Sequence, residues 1–347
     1  VGIVYLGRVG GEGGDVCATA YDDGTKHELA LTVNEKDMLD VAKANCSKVI
    51  VVLETSNAME LAELEDDDGI NAVLQVGGSG CSGFGSLAQI LAGEINPSGR
   101  LVDIYYADFT KDPTYVNFDK NLGNGDASEL NWSYINVFHT YGENTRNVPF
   151  REYEEGVYMG YRFYETASAL GYFTSDNLPD GETDKYYNRD NGVVYPFGYG
   201  LSYTTFEQRI DSIKTTDKKI ELEIEVKNNG TADGKDVVQV YYSAPYTSFD
   251  VSNKIEKPAA VLVGFAKTPV IKAGESKNVK IEFAVEDMAS YCYTRENGDG
   301  TRGAYVLENG DYEITLRKNS HEVIDSRVYS VAKTIWYDYN NPRESEI

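Results

Sequence analysis

The chain has 347 residues, 41% of them hydrophobic, and a formal net charge of −24. Charge of that sign and size argues against nucleic acid and anionic membrane surfaces as partners and suits a neutral ligand. No apolar run approaches the roughly 18–20 residues needed to cross a bilayer, and the length suggests two or three domains, each with its own core.

VGIVYLG (1–7) reads as a buried strand running straight into the glycine-rich GRVGGEGGD (7–15). Because that strand begins at Val1, no signal peptide is expected, and the start reads as that of a fragment or of one part of a larger polypeptide. NEKDMLDVAKANC (34–46) has helical spacing, KVIVVLE (48–54) is a buried-type strand, and NAMELAELEDDD (57–68) reads as a helix with a solvated acidic end. INAVLQV (70–76), FGSLAQILAGE (84–94) and RLVDIYY (100–106) continue as strand, helix and strand. Repeated βαβ units predict a mostly parallel sheet with helices on both faces. From 107 to about 200 the periodicity gives way to aromatics, Asn, Asp and Gly, a connector too long to be idle inside a compact domain. From 207 to 332 short alternating strands with Gly, Asn and Pro turns predict a β-sandwich of immunoglobulin or fibronectin type. The tail DYNNPRESEI reads as a linker leading onward.

Glu12 stands out among these residues. A carboxylate set in glycines at the C-terminal mouth of a strand buries nothing and costs backbone entropy. It does make a close-approach loop that carries one acid toward a ligand at the strand ends. Carboxylate chemistry on sugars needs two acids, and the chain offers a good candidate for only one. GGSGCSGFG (77–85) carries a G-x-G-x-x-G pattern at Gly78, Gly80 and Gly83 between a strand and a helix, the setting of a dinucleotide fingerprint. Asp103, the acid that would meet the ribose, lies 25 residues past Gly78, which is late for that contact. Cys17, Cys46, Cys81 and Cys292 are scattered and read as free thiols; with His27, His139 and His321 they show no metal-ligand spacing. The 27 tyrosines could stack on sugars or fill cores and seams.

INPSGRL (95–101), YEEGVYMGYRFYET (153–166) and YPFGYGLSYTTFE (195–207), with GRVGGEGGD before them, closely resemble the non-barrel part of glycoside hydrolase family 3, the β-glucosidase and β-xylosidase group. KNNGTADGKDVVQVYYSAP, EKPAAVLVGFAKT and GDYEI resemble that family's fibronectin type III-like domain. The resemblance runs from residue 1 to about 332. It implies an α/β plus all-β fold: an N-terminally incomplete αβα sandwich with its connector (1–206), a fibronectin type III-like domain (207–332), and a linker (333–347) toward a barrel. The family's (β/α)8 barrel, which supplies the Asp nucleophile, has no counterpart here; the tail and YADFTKDPTYVNF resemble the subgroup in which the barrel follows, so a complementary barrel domain or chain is the implied partner.

The resemblance gives Glu12 the role of general acid/base. Asp15 falls where the family has an Asp usually followed by Arg; here Val16 follows, and Asp15 is read as loop-fixing or subsite-lining. Arg8, at the end of the strand, is read as substrate-binding, as a holder of one of these acids, or as one half of a surface ion pair. The implied substrate is a β-linked glucoside or oligosaccharide, with xylose and arabinose left open, no cofactor and no metal, and a homodimer left open. A cytoplasmic enzyme of bacterial type is favoured. The competing class is a non-catalytic carbohydrate- or protein-binding scaffold, and a nucleotide-binding α/β protein is a third reading.

Overall fold

The structure, a computed structural model, describes residues 1–8, 20–117, 137–141, 144–148 and 153–344; at 81, 116–117, 137–141 and 144–148 it describes the backbone alone. The chain divides into two compact units, one of residues 1–89, 103–160 and 171–195, the other of 90–102, 161–170 and 196–347.

In the first unit, β1 (Gly2–Gly7), β2 (Val49–Glu54) and β3 (Ala72–Gln75) form a parallel sheet in the order β1-β2-β3. The register runs from Gly2 opposite Val49 to Gly7 opposite Glu54, so the C-terminal ends of the first two strands lie level. Val51, Val52 and Leu53 are fully buried, which explains the unbroken apolar run of the central strand. Helix α1 (Val33–Asn45) connects β1 to β2 and starts in a capping box in which Thr32 accepts from Glu35 N and the Glu35 carboxylate accepts from Thr32 N.

Three expected elements differ. The helix read over 57–68 shrinks to α2 (Ala62–Glu65). Ala58, Met59 and Leu61 are buried as the period implies, but Glu60 N donates to Leu29 O, a tertiary bond that takes the place of a helical one. Helix α3 (Gly80–Leu91) starts within the glycine run rather than at Phe84. RLVDIYY splits: Leu101 N donates to Tyr199 O in the second unit, while β4 (Tyr105–Tyr106) pairs antiparallel with β7 (Val193–Tyr195) instead of joining the parallel sheet. Between them lie α4 (Pro113–Asn117), whose Thr114 amide donates to Asp112, and a hairpin of β5 (Val137–Tyr141) and β6 (Asn144–Val148).

The second unit is the β-sandwich and more. Strands β8 (Phe206–Thr215), β9 (Lys219–Asn228) and β12 (Ser276–Ala284) form a sheet ordered β12-β9-β8. Strands β10 (Val237–Ser243), β11 (Val261–Lys267), β15 (Gly310–Arg317) and β16 (Val323–Val331) form a second, ordered β11-β10-β15-β16. Ile220, Leu222, Ile224, Val238, Val240, Ile314 and Leu316, all fully buried, supply the core. A third sheet of β13 (Ser290–Glu296), β14 (Arg302–Leu307) and β17 (Ile335–Tyr337) was not expected, and β17 occupies the start of the tail read as a linker.

The second sheet's outer face carries Gln239, Tyr241, Thr315 and Arg317, all buried. In a free-standing sandwich that face would meet water. Here α5 (Tyr161–Ala169) and the YPFGYG stretch pack with it: Tyr161 stacks on Phe197 at 4.8 Å and meets Tyr241 edge-on at 5.9 Å. Gln239 Nε2 donates to Gly198 O at 3.1 Å, and Ser320 Oγ donates to Glu165 of α5 at 3.0 Å. Gly198 has a φ of +81°, and a Cβ there would collide with Gln239 Oε1, so this position requires glycine. INPSGRL is fixed the same way, since Asn96 accepts from Ser202 Oγ and Tyr203 N while Arg100 pairs with buried Asp236 at 2.5 Å. The stretch EKPAAVLVGFAKT begins at a buried ion cluster. Lys257 Nζ lies 2.6 Å from Asp250 Oδ1 of α6 (Ser248–Asn253) and 2.8 Å from Glu308 Oε2.

Candidate active site

Strands β1, β2 and β3 end at Gly7, Glu54 and Gln75, and Arg8 and Ser79 follow close behind the first and third. Glu12 and Asp15 lie outside the described residues. Arg8, the last described residue before them, is placed in detail. Its side chain is 8% exposed and holds Glu35 through both carboxylate oxygens, at 2.6 and 2.7 Å. It also donates to Glu28 O, Ala30 O and Gly7 O. Burial pushes the Glu35 carboxyl up, but the hydrogen bonds from Arg8 and from the Thr32 amide outweigh it and leave the group below its ordinary value.

The chain returning toward α1 is equally tied. Thr25, buried, accepts from Val33 N at 3.2 Å, and its own amide donates to Asp23. His27, also buried, has Nε2 3.1 Å from Glu60 Oε1 without an aligned hydrogen bond and sits edge-on to Phe109 at 4.6 Å. Glu60 accepts from Phe109 N at 2.9 Å and from Lys26 Nζ at 3.1 Å. The His27–Glu60 cluster was not legible in the sequence, because its two members are 33 residues apart and neither sits in a motif.

At the neighbouring strand end Tyr5 donates its hydroxyl to Glu54, and that bond, with burial and the Glu54 charge, pushes the phenol up to about 12. Ser79 Oγ donates to Glu54 Oε1 at 3.4 Å, immediately before α3. A carboxylate facing the first residues of that helix is a poor setting for a pyrophosphate. Asp103, the expected ribose acid, accepts from Ile104 N, and its carboxyl is raised chiefly by burial. Among the described residues, no group of three His, Cys, Asp or Glu side chains is placed to hold a metal ion.

The aromatics weighed as a sugar platform divide by unit. Tyr164 is 1% exposed, Tyr161 and Phe197 stack, Phe206 packs on the sandwich core, and the Tyr203 hydroxyl donates to Ile90 O. Those belong to the second unit's packing, whereas Tyr153 of the first unit is 72% exposed. Trp132 lies outside the described residues, and His139 is described by its backbone alone.

Residues 1–161 match the glycosyl hydrolase family 3 C-terminal domain, and residues 236–320 match a fibronectin type III-like domain. The chain is 32% identical to β-glucosidase A of Butyrivibrio fibrisolvens, over 96% of its own length and 38% of that protein's. It is 32% identical to a β-glucosidase of Ruminococcus albus, over 89% of its own length and 26% of that protein's. Among solved structures, β-glucosidase 3B from Thermotoga neapolitana in complex with α-D-glucose is similar with a TM-score of 0.68 and 26% identity, covering 97% of this chain and 38% of that one. A β-glucosidase from Paenibacillus barengoltzii gives 0.69 and 29%, covering 96% of this chain and 31% of that one. The chain therefore spans about two fifths or less of each relative.

Proposed function

The chain belongs to glycosyl hydrolase family 3 through its C-terminal α/β domain and its fibronectin type III-like domain, and we propose that it is part of a retaining, exo-acting β-glucosidase. The substrate is a terminal, non-reducing β-D-glucosyl residue of a cello-oligosaccharide or aryl glucoside. The reading rests on one observation: residues 1–161, the stretch that matches the family domain, include GRVGGEGGD, whose sequence continues from Gly7, the last residue of a parallel strand, and α/β proteins take their ligands at the carboxyl ends of such strands. Within the chain we divide the α/β part from the sandwich at 206/207.

In this reading Glu12 is the general acid/base, and an Asp nucleophile comes from a barrel domain that complements this chain. The two carboxyl groups of a retaining glycosidase stand about 5–5.5 Å apart, one attacking the anomeric carbon while the other protonates the departing oxygen. Glu12 must carry a proton at the outset. Exclusion of water and the nucleophile's negative charge both favour the neutral acid. Once the glycosyl-enzyme has formed, the same carboxylate accepts a proton from water and completes the cycle. Asp15 is assigned to fixing the loop or lining a subsite. Arg8 anchors the loop's entrance.

By itself the chain is expected to be inert. In the enzyme assembled with its barrel, Glu12→Ala should abolish turnover of cellobiose, a poor leaving-group substrate, while azide restores part of the rate on activated aryl glucosides. Unchanged cellobiose hydrolysis by that variant would remove Glu12 from the reaction.

A further inference from the structure

The cluster of Asp250, Lys257 and Glu308 has a geometry that an ion pair alone does not require. All three side chains are at most 6% exposed. Lys257 Nζ donates to Glu308 Oε2 and to Pro245 O, each at 2.8 Å, which commits two of its three N–H groups. The third is left for Asp250 Oδ1, 2.6 Å away, where no aligned hydrogen bond forms. A carbon–oxygen bond is about 1.2 Å long, which puts Asp250 Cγ within about 3.8 Å of Nζ. Near-attack distances are about 3–3.5 Å, so the amine stands at the edge of bonding reach. The second carboxylate oxygen, Oδ2, accepts from Thr247 N at 2.7 Å, and the Thr247 hydroxyl orients Glu308 by donating to Oε1 at 2.7 Å.

We propose that Lys257 and Asp250 condense into an isopeptide bond within the folded chain, with Glu308 as the general acid/base. One proton first passes from Nζ to Oδ1 across their contact, leaving a neutral amine beside a neutral acid. The two remaining N–H groups keep Glu308 and Pro245 O, so the freed lone pair is turned toward Asp250. Nζ attacks Cγ, and the electron pair of the Cγ–Oδ2 double bond moves onto Oδ2, where the Thr247 amide meets the developing charge. The nitrogen then gives a proton to Glu308 Oε2. As the double bond re-forms, Oδ1 leaves as hydroxide and takes that proton from Glu308, becoming water. The product is an amide joining Nζ to Cγ. One water is lost, nothing is oxidised or reduced, and Glu308 ends as it began. Before condensation the three groups are the ion cluster described above. Asp250 and Lys257 are seven positions apart, so closing so short a ring contributes little through chain entropy. What it does is tie α6 to the segment entering β11, so that a cut between them releases neither end.

Intact mass under denaturing conditions reads the bond directly. The wild-type chain should be one water lighter than its sequence, at once or progressively as the folded protein is incubated. Trypsin cuts after Lys254, which is exposed and lies between the two residues, and the halves should stay joined. Glu308→Gln should slow the loss of water by about 100-fold or more. Lys257→Arg, which keeps the charge without a nucleophilic amine, should hold the full mass. Should Glu308→Gln fail to fold, wild type decides by itself: full mass persisting through prolonged incubation overturns the proposal. A missing water that maps elsewhere, as in a succinimide at Asp68–Gly69, overturns it too. Condensation as fast in folded Glu308→Gln as in wild type overturns the role of Glu308.

Discussion

Among the described residues Lys257 is the one cation paired with the buried carboxylates of Asp250 and Glu308, and replacing it by methionine removes that charge. Lys257, Asp250 and Glu308 have side chains 2%, 0% and 6% exposed, and Nζ also donates to Pro245 O at 2.8 Å. The 2.6 Å approach to Asp250 Oδ1 is an ionic contact without hydrogen-bond alignment, while Glu308 takes a true hydrogen bond at 2.8 Å. At an effective dielectric of about 20, each contact is worth roughly 6 kcal/mol of Coulomb energy, most of it offset by desolvation of the three ions. Methionine keeps the stem's packing and deletes the charge, leaving two uncompensated anions, a loss of about 3–5 kcal/mol. For a unit of this size that corresponds to a fall in Tm of about 6–20 °C. Urea unfolding followed through Trp336, whose ring lies 6.1 Å from that of Phe249 in α6, reads the change where it occurs. Lys318→Met, which breaks an exposed i,i+4 pair with Glu322, serves as control and should cost under about 1 kcal/mol. A loss at Lys257 no larger than at Lys318 would refute the reasoning, and Lys257→Met combined with Glu308→Gln should recover part of the deficit.

Two further outcomes follow from the packing. The Glu35 carboxyl is held below its ordinary value, so the stability it contributes is fully present above the unfolded value of about 4.3 and is lost as pH falls through the folded one. Wild type and Glu35→Gln should therefore differ in urea midpoint at pH 7 and converge in acid; a gap that widens below pH 4 contradicts this. The excised sandwich 207–332 should unfold at lower urea than unit two within the whole chain, because cutting at 206 strips the cover from Gln239, Tyr241 and Arg317. Equal midpoints in hydrogen-exchange-resolved unfolding would show that the cover contributes nothing.

The parallel sheet was legible because its central strand β2 is an unbroken apolar run, as a strand covered on both faces requires, although β1 leaves Ile3 and Tyr5 exposed. NAMELAELEDDD misled because its period is real but serves burial without a helix; Glu60 bonds to Leu29 and Phe109 instead of to its own helix. RLVDIYY looked like one strand, and nothing local reveals that its two ends belong to different units. Helix α5 was hidden by its tyrosines, which read as a seam, with a sugar platform as the alternative, inside a stretch that reads as a loop-rich connector. Of the site, Arg8 was visible as a cation ending a strand. Its partner Glu35 was not, since it lies 27 residues on, in the first turn of a helix whose capping box it also completes. Glu12 was legible through the glycines around it and through the family resemblance, Asp15 through the resemblance alone, and their roles are proposals.

The path of the backbone between the two units has an evolutionary corollary. It passes from one to the other five times, near residues 90, 103, 161, 171 and 196. A gene-level exchange with a single breakpoint cannot transplant either unit intact, so this sandwich is not a shufflable cassette, unlike fibronectin modules strung on linkers. Its lineage should instead record joint inheritance, with INPSGRL, the α5 stretch and YPFGYG drifting in step with the strands they cover.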